Sequence, residues 1–200
     1  MNKKEYSSAI KKTPFNYLDA KIIGSLMEKG LIYDTVYKEC FDKNLVNIQS
    51  LQRRGEVINV VHERLQELDS FLLSVFLNGN ITTSKFLLVY AIAKNDRLFS
   101  EFLLTVYREA ILGEKHYISI ADFDDFFASA KEKNVLVAKW AETTMRDLST
   151  GYRNILVESG LCARVKKNMV PRSIIVDPAV FGHIKAIGDQ VYLQAILGVK

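Results

Sequence analysis

Residues 119–176 read SIADFDDFFASAKEKNVLVAKWAETTMRDLSTGYRNILVESGLCARVKKNMVPRSIIV, and the order of patterns in this stretch decides the fold. Ser119 stands three residues before Asp122, so a hydroxyl cap and a first-turn carboxylate can satisfy the amides that open a helix. Behind that cap Phe123, Phe126, Phe127 and Ala130 recur at helical spacing and make one apolar face. Residues 131–134 then close the helix with positive charge and an asparagine that tolerates left-handed backbone. Residues 135–140 form a short apolar segment. It leads into a longer helix with Met145, Leu148, Tyr152, Ile155 and Leu156 on one side and Gly160 at its end.

After Gly160 the period shortens. Residues 161–165 and 173–176 are expected strands, with Lys166, Lys167 and Asn168 as the turn and Pro171 at an edge or in a loop. Helix, short helix, longer helix and hairpin is the order of a winged helix-turn-helix. The expected wing carries Arg164, Lys166, Lys167 and Arg172 and no acidic residue, which suits a ribbon that meets phosphate oxygens. Arg146 and Arg153 fall on the polar side of the long helix, with Thr143, Thr144 and Ser149 in reach of base edges or phosphates. The same pattern also fits ordinary solvated charges beside a tri-helical protein-interaction module.

Working back toward the start, residues 86–93 are apolar all round, so their helix must be enclosed by others. Thr82, Thr83 or Ser84 is its expected cap. A helix carrying Phe99, Phe102, Leu103, Val106 and Ala110 follows and stops at Gly113. Upstream, Thr13-Pro14 is the expected start of a first helix, with Leu18, Ile22 and Leu26 inward. A second helix from Asp34 buries Val36, Tyr37, Cys40 and Phe41. A third covers residues 50–68 and buries Leu51, Ile58, Val61, Leu65 and Leu68. Gly55 interrupts it at a cost of about 1 kcal/mol relative to alanine, which would move the true start toward Gly55.

These three helices are a second candidate helix-turn-helix, with Gln52, Arg53, Arg54, Asn59, His62 and Arg64 as groove-facing residues. Glu56 and Glu63 dilute its charge. Residues 1–12 hold four lysines and read as a mobile basic arm. Beyond the hairpin, Asp177-Pro178 caps a helix with Val180, Phe181, Ile184 and Ile187, and a last helix carries Val191, Tyr192, Ala195 and Ile196.

The expected fold is therefore all-α: two helical lobes, residues 1–113 and 114–200, each with a helix-turn-helix-like tri-helical unit, and a small β-hairpin wing in the second. The 200 residues suffice for one substantial core or two small lobes. A formal charge of +4, from 27 basic and 23 acidic residues, permits nucleic-acid binding without demanding it. Cys40 and Cys162 read as reduced core thiols of a cytoplasmic protein. The longest apolar run is far below the roughly 18 residues of a spanning helix, which argues against a membrane partner.

No residue set calls for a metal or cofactor. His62, His116 and His183 are far apart, and no phosphate loop or nucleophile motif is present. Asp122, Asp124 and Asp125 are explained by the positive end of a helix dipole rather than by a metal. Trp140 reads as a core wedge. The expected protein is not an enzyme.

Four segments taken in order carry a resemblance. Phe86-Leu-Leu-Val-Tyr-Ala-Ile-Ala-Lys-Asn-Asp-Arg-Leu, Ala121-Asp-Phe-Asp-Asp-Phe-Phe, Val137-Ala-Lys-Trp-Ala-Glu-Thr-Thr and Asn154-Ile-Leu-Val-Glu-Ser-Gly-Leu resemble the BrxA family, a small core component of BREX bacteriophage-exclusion systems. The similarity runs from about Phe15 onward and rests on order and spacing. It implies an all-helical protein with helix-turn-helix elements that binds double-stranded DNA, alongside other BREX components. The family has also carried an inner-membrane label and a NusB-like label. The second implies the alternative, an RNA-binding or scaffold protein. Few of the candidate residues can make bidentate base contacts, so weak sequence preference and strong salt dependence are expected. No sustained heptad or apolar stripe demands a dimer, which points to a monomer.

Overall fold

The computed structural model describes residues 4–113 and 115–199. A 3₁₀ turn, Ala9–Lys11, precedes α1 (Tyr17–Glu28), α2 (Tyr33–Asp42) and α3 (Leu51–Leu65). α4 (Ser70–Asn78) and α5 (Ile81–Asn95) follow, capped by the side chains of Asp69 and Asn80. Residues 86–93 of α5 are all buried, as their unbroken apolar run requires, and α1, α3 and α4 pack around this helix. α6 (Arg97–Phe102), a π segment (Leu103–Tyr107) and α7 (Arg108–Ile111) form one bent rod ending at Gly113, whose φ is +85°.

α8 (Ile120–Lys133), α9 (Val135–Ala138) and α10 (Glu142–Glu158) come next. The capping box of α8 is complete, with Ser119 accepting from the Asp122 amide while Asp122 accepts from the Ser119 amide at 2.7 Å. The hairpin β1 (Cys162–Val165) and β2 (Asn168–Pro171) is antiparallel, Val165 facing Asn168 and Cys162 facing Pro171. α11 (Pro178–Ala186), capped by Asp177, packs on α12 (Gln190–Leu197), which returns to the core against α5, the π segment and α7. The protein is thus mostly helical with one small hairpin, and its buried apolar side chains form a single cluster from Ile10 to Ile196.

Several local expectations are corrected. Thr13-Pro14 does not open a helix: the carbonyls of both residues accept from the buried Arg64 guanidinium, at 2.5 and 3.0 Å, and α1 begins at Tyr17. Leu18 is 75% exposed and Leu51 61% exposed, so the inward faces run through Ala20, Ile23 and Gly24 in α1 and from Arg54 onward in α3. α3 is not interrupted at Gly55. A Cβ there would lie 2.8 Å from the Tyr37 hydroxyl, so close approach of α2 explains the glycine. Asn80, not Thr82, Thr83 or Ser84, caps α5, and Asn134 adopts extended backbone to cap α9 rather than a left-handed turn. Ile187 is exposed.

The described part of the basic arm is docked. Lys4 pairs with Glu67, the Tyr6 hydroxyl donates to Glu101 at 2.9 Å, and Ile10 is fully buried against Gly151 of α10. Residues 1–3 of that arm lie outside the described residues.

Candidate nucleic-acid interface

The hairpin takes its shape from three constraints. Cys162 and Met169 are buried and hold the base of the ribbon on the core. Ile118 forms a bridge to Met169, each amide donating to the other's carbonyl at 2.8 Å, so the loop before α8 lies beside β2 like a third strand. Lys166 takes φ +56° in a two-residue turn, at the first central position where tight hairpins favour glycine. The second strand is therefore Asn168–Pro171 and not residues 173–176. Asn168 pairs across the ribbon instead of turning the chain.

With this register Arg164, Lys166, Lys167 and Arg172 are all exposed. Among the described residues none of the four lies within 4.0 Å of a carboxylate. Four uncompensated cations on so small an element produce a positive field that reaches about 8–10 Å into salt solution. The buried Cys162 thiol beneath them is pushed up to about 12 by desolvation, so it stays protonated and inert.

α10 contributes less. Arg146 is exposed, while Arg153 folds back along the helix, its Nε donating to the Ser149 carbonyl at 3.3 Å and its guanidinium to Thr150. Glu142, Asp147 and Glu158 share the exposed side of the helix with these two arginines. Thr143 is exposed and Thr144 half-buried, but Ser149 is buried, which removes it from the expected contact set. Met145, Leu148, Tyr152, Ile155 and Leu156 face the core, as their spacing requires.

The earlier tri-helical unit turns its candidate cations inward. Arg54 is buried, with Nε donating to the Ile48 carbonyl at 2.9 Å and a terminal nitrogen to the Phe41 carbonyl at 2.7 Å. Arg53 is half-buried and donates to Lys12 and Thr13, and it pairs with Glu56. His62 and Arg64 are buried, and burial lowers the pKa of both, Arg64 to about 10. Arg54 and Arg64 are each held inside the fold by two carbonyls of the same chain, which leaves little of either guanidinium at the surface for a phosphate. The open side of α3 presents Glu56 and Glu63 to solvent or partial solvent.

Asp122 is engaged by Lys115 and Ser119. Burial alone would raise its carboxyl, but these hydrogen bonds hold it below the usual carboxylate value. Asp124 and Asp125 are exposed, and no cluster of metal-ligating side chains occurs among the described residues. No helix among them is long and apolar enough to cross a membrane. A cleft of about 510 Å³ between Tyr6, Arg97, Glu101, Phe126 and Lys133 shares no lining residue with the hairpin. Two contributors escaped the sequence reading. Ile118 lies between the stop at Gly113 and the cap at Ser119, and its single bridge leaves no strand-length pattern. Asn168 resembles a turn residue, and only the ladder reveals it as strand.

Comparison with known proteins follows the same span. A family model described as BrxA matches residues 4–188. A BREX protein BrxA from Bacillus cereus (strain H3081.97) is 31% identical over 193 residues, covering 96% of each chain. The crystal structure of an uncharacterized protein from Magnetospirillum magneticum superposes with a TM-score of 0.82 at 20% identity, over 97% of this chain and 99% of that one. At that identity the likeness is one of fold.

Proposed function

The chain belongs to the BrxA family, and from that premise we propose that it is a non-enzymatic component of a BREX phage-defence system that binds double-stranded DNA through phosphate contacts from its hairpin. The observation that carries this reading is the set of four exposed cations, Arg164, Lys166, Lys167 and Arg172, with no described carboxylate against them. Cations on a rigid element meet phosphates with less freedom to lose on binding. The buried Cys162 and Met169 and the bridge to Ile118 supply that rigidity.

In this reading α8, α9, α10 and the hairpin act as a winged helix-turn-helix in which the wing leads. α10 lies beside the duplex with Arg146 and Thr144 as secondary contacts, and its carboxylates keep it from entering a groove deeply. Residues 114–200 form the DNA-facing lobe and residues 1–113 the lobe that braces it, so Arg53 and Arg54 are structural. The monomer works in the cytoplasm with other BREX components and shows little base preference, because its contacts come mainly from a wing that follows the phosphate backbone, which carries no sequence information directly.

Fluorescence anisotropy with a labelled duplex tests the assignment, with structured RNA as competitor. Duplex binding that is lost on Lys166→Glu with Lys167→Glu, and that RNA displaces poorly, is the expected result. Unchanged duplex affinity in the double variant overturns the hairpin assignment. Preferential displacement by RNA favours the NusB-like alternative.

A further inference from the structure

Between β2 and α11 the chain passes through Arg172-Ser173-Ile174-Ile175-Val176 without a helix, turn or bend. Burial alternates along it. Ser173 and Ile175 are exposed, Ile175 at 89%, while Ile174 and Val176 pack on the core. That period of two is the signature of a strand with one face buried. Both ends are fixed, the Arg172 amide donating to the Leu161 carbonyl at 2.8 Å and the Asp177 amide to the Thr83 hydroxyl at 3.1 Å. Between those ends no backbone amide or carbonyl of residues 173–176 bonds to any described residue. Three of the four residues are β-branched. They form an extended segment that continues from β2 without a ladder partner, and folded proteins ordinarily cover or blunt unpaired extended backbone of this kind.

We propose that residues 173–176 are the docking edge for an extended, acidic segment of another protein, which adds alongside them as a β-strand. The free amides and carbonyls specify an extended backbone, since strand addition satisfies them in a repeating ladder. The exposed Ile175 gives that strand an aliphatic partner across the ladder. Charge selects the rest of its chemistry. Arg172 adjoins the edge, Arg164, Lys166 and Lys167 lie on the hairpin that leads into it, and none has a described carboxylate nearby. Acidic side chains on the incoming strand complement these four, whereas a second copy of this chain would bring two cationic hairpins together. Because the edge begins at Arg172, such a strand and a duplex would compete for the same cation. Occupancy of the edge therefore regulates the proposed DNA contact and rests on that reading only in this last respect.

The probe is a short fluorescein-labelled peptide alternating valine and glutamate, titrated into the full chain by anisotropy. A valine–lysine peptide and an N-methylated valine–glutamate peptide serve as controls. The expected result is saturable binding of the first peptide. Affinity should fall by about tenfold or more on N-methylation, which removes ladder amides, and similarly on Ile175→Pro. Ile175→Pro should leave duplex affinity and the far-ultraviolet dichroism unchanged, which separates this proposal from the hairpin assignment. Equal binding of the N-methylated peptide, or no saturable binding at millimolar concentration, overturns it. So does sedimentation that shows a dimer abolished by Ile175→Glu, because the occupant is then a second copy.

Discussion

Gly55, Gly151 and Gly182 lie inside helices, and substituting each by alanine separates intrinsic propensity from packing. Propensity alone predicts a gain of about 1 kcal/mol at every one of them. At Gly182 in α11 no heavy atom lies within 4 Å of the added Cβ, so the gain should be realised. At Gly55 the obstacle is the Tyr37 hydroxyl at 2.8 Å, the far end of a side chain that can swing away, and the net change should be near zero. At Gly151 the Cβ meets both Cγ2 and the backbone oxygen of Ile10 at 2.8 Å. A backbone atom cannot rotate aside, so the 3₁₀ turn Ala9–Lys11 must lift. Overpacking of this kind costs about 1–3 kcal/mol, and unseating the fully buried Ile10 costs about the same. After the propensity gain of about 1 kcal/mol, Gly151→Ala should destabilise by up to about 2 kcal/mol. For a chain of this length each kcal/mol moves Tm by about 2–4 °C. Urea and thermal unfolding followed by circular dichroism should therefore place Gly182→Ala above the wild type and Gly151→Ala below it. Limited proteolysis should cut residues 4–12 faster only in the latter. Stability of Gly151→Ala equal to or above the wild type would refute the seating of the amino-terminal turn on α10.

The remaining predictions concern charge. If all four hairpin cations touch phosphates, log K should fall with log salt at a slope near −3.6, or about 150-fold between 50 and 200 mM. Lys166→Ala with Lys167→Ala should bring the slope to about −1.8 and the loss to about 12-fold, and an unchanged slope in a salt titration refutes those contacts. Arg54→Met should cost about 2–4 kcal/mol in urea unfolding, because the Ile48 and Phe41 carbonyls lose their donors, and it should leave the DNA salt slope intact. Asp96 is buried at the start of α6, and desolvation raises its carboxyl to about 6 despite the Phe99 amide and Arg64. The folded state then binds the proton more tightly than the unfolded state. The stability it contributes is full below about pH 4 and is lost as pH rises through about 6, at no more than about 1.4 kcal/mol per pH unit. Asp96→Asn keeps the cap and should flatten unfolding free energy against pH across that window. A slope identical to wild type refutes the assignment.

What the sequence disclosed follows physical rules that act locally. The capping box at Ser119, the enclosed run 86–93 and the stops at Gly113 and Gly160 depend on neighbours within a few residues, and all occur as read. The hairpin was legible as an element but not in register. Lys166 occupies a left-handed position that nothing in a lysine announces, and Asn168 offered a more conventional turn. The candidate interface divided along the same line. Charge on the ribbon could be counted, whereas the fates of Arg54 and Arg64 depend on carbonyls 6 to 51 residues away along the chain. An arginine that caps internal carbonyls and one that awaits a ligand have the same letter. The strand expected at residues 173–176 has the alternation of a strand and none of its bonds, a distinction no propensity contains.

The seat of Ile10 against Gly151 also sets an order of events during synthesis. Residues 4–12 leave a ribosome before α10 does, and the groove that receives Ile10 is incomplete until that helix, about 140 residues later, has emerged. This segment thus finds its place later than the helices that directly follow it, and until α10 is made its isoleucine has nothing to rest on. A change within residues 4–12 would therefore act on the docking of this segment onto α10 rather than on the helices around α5.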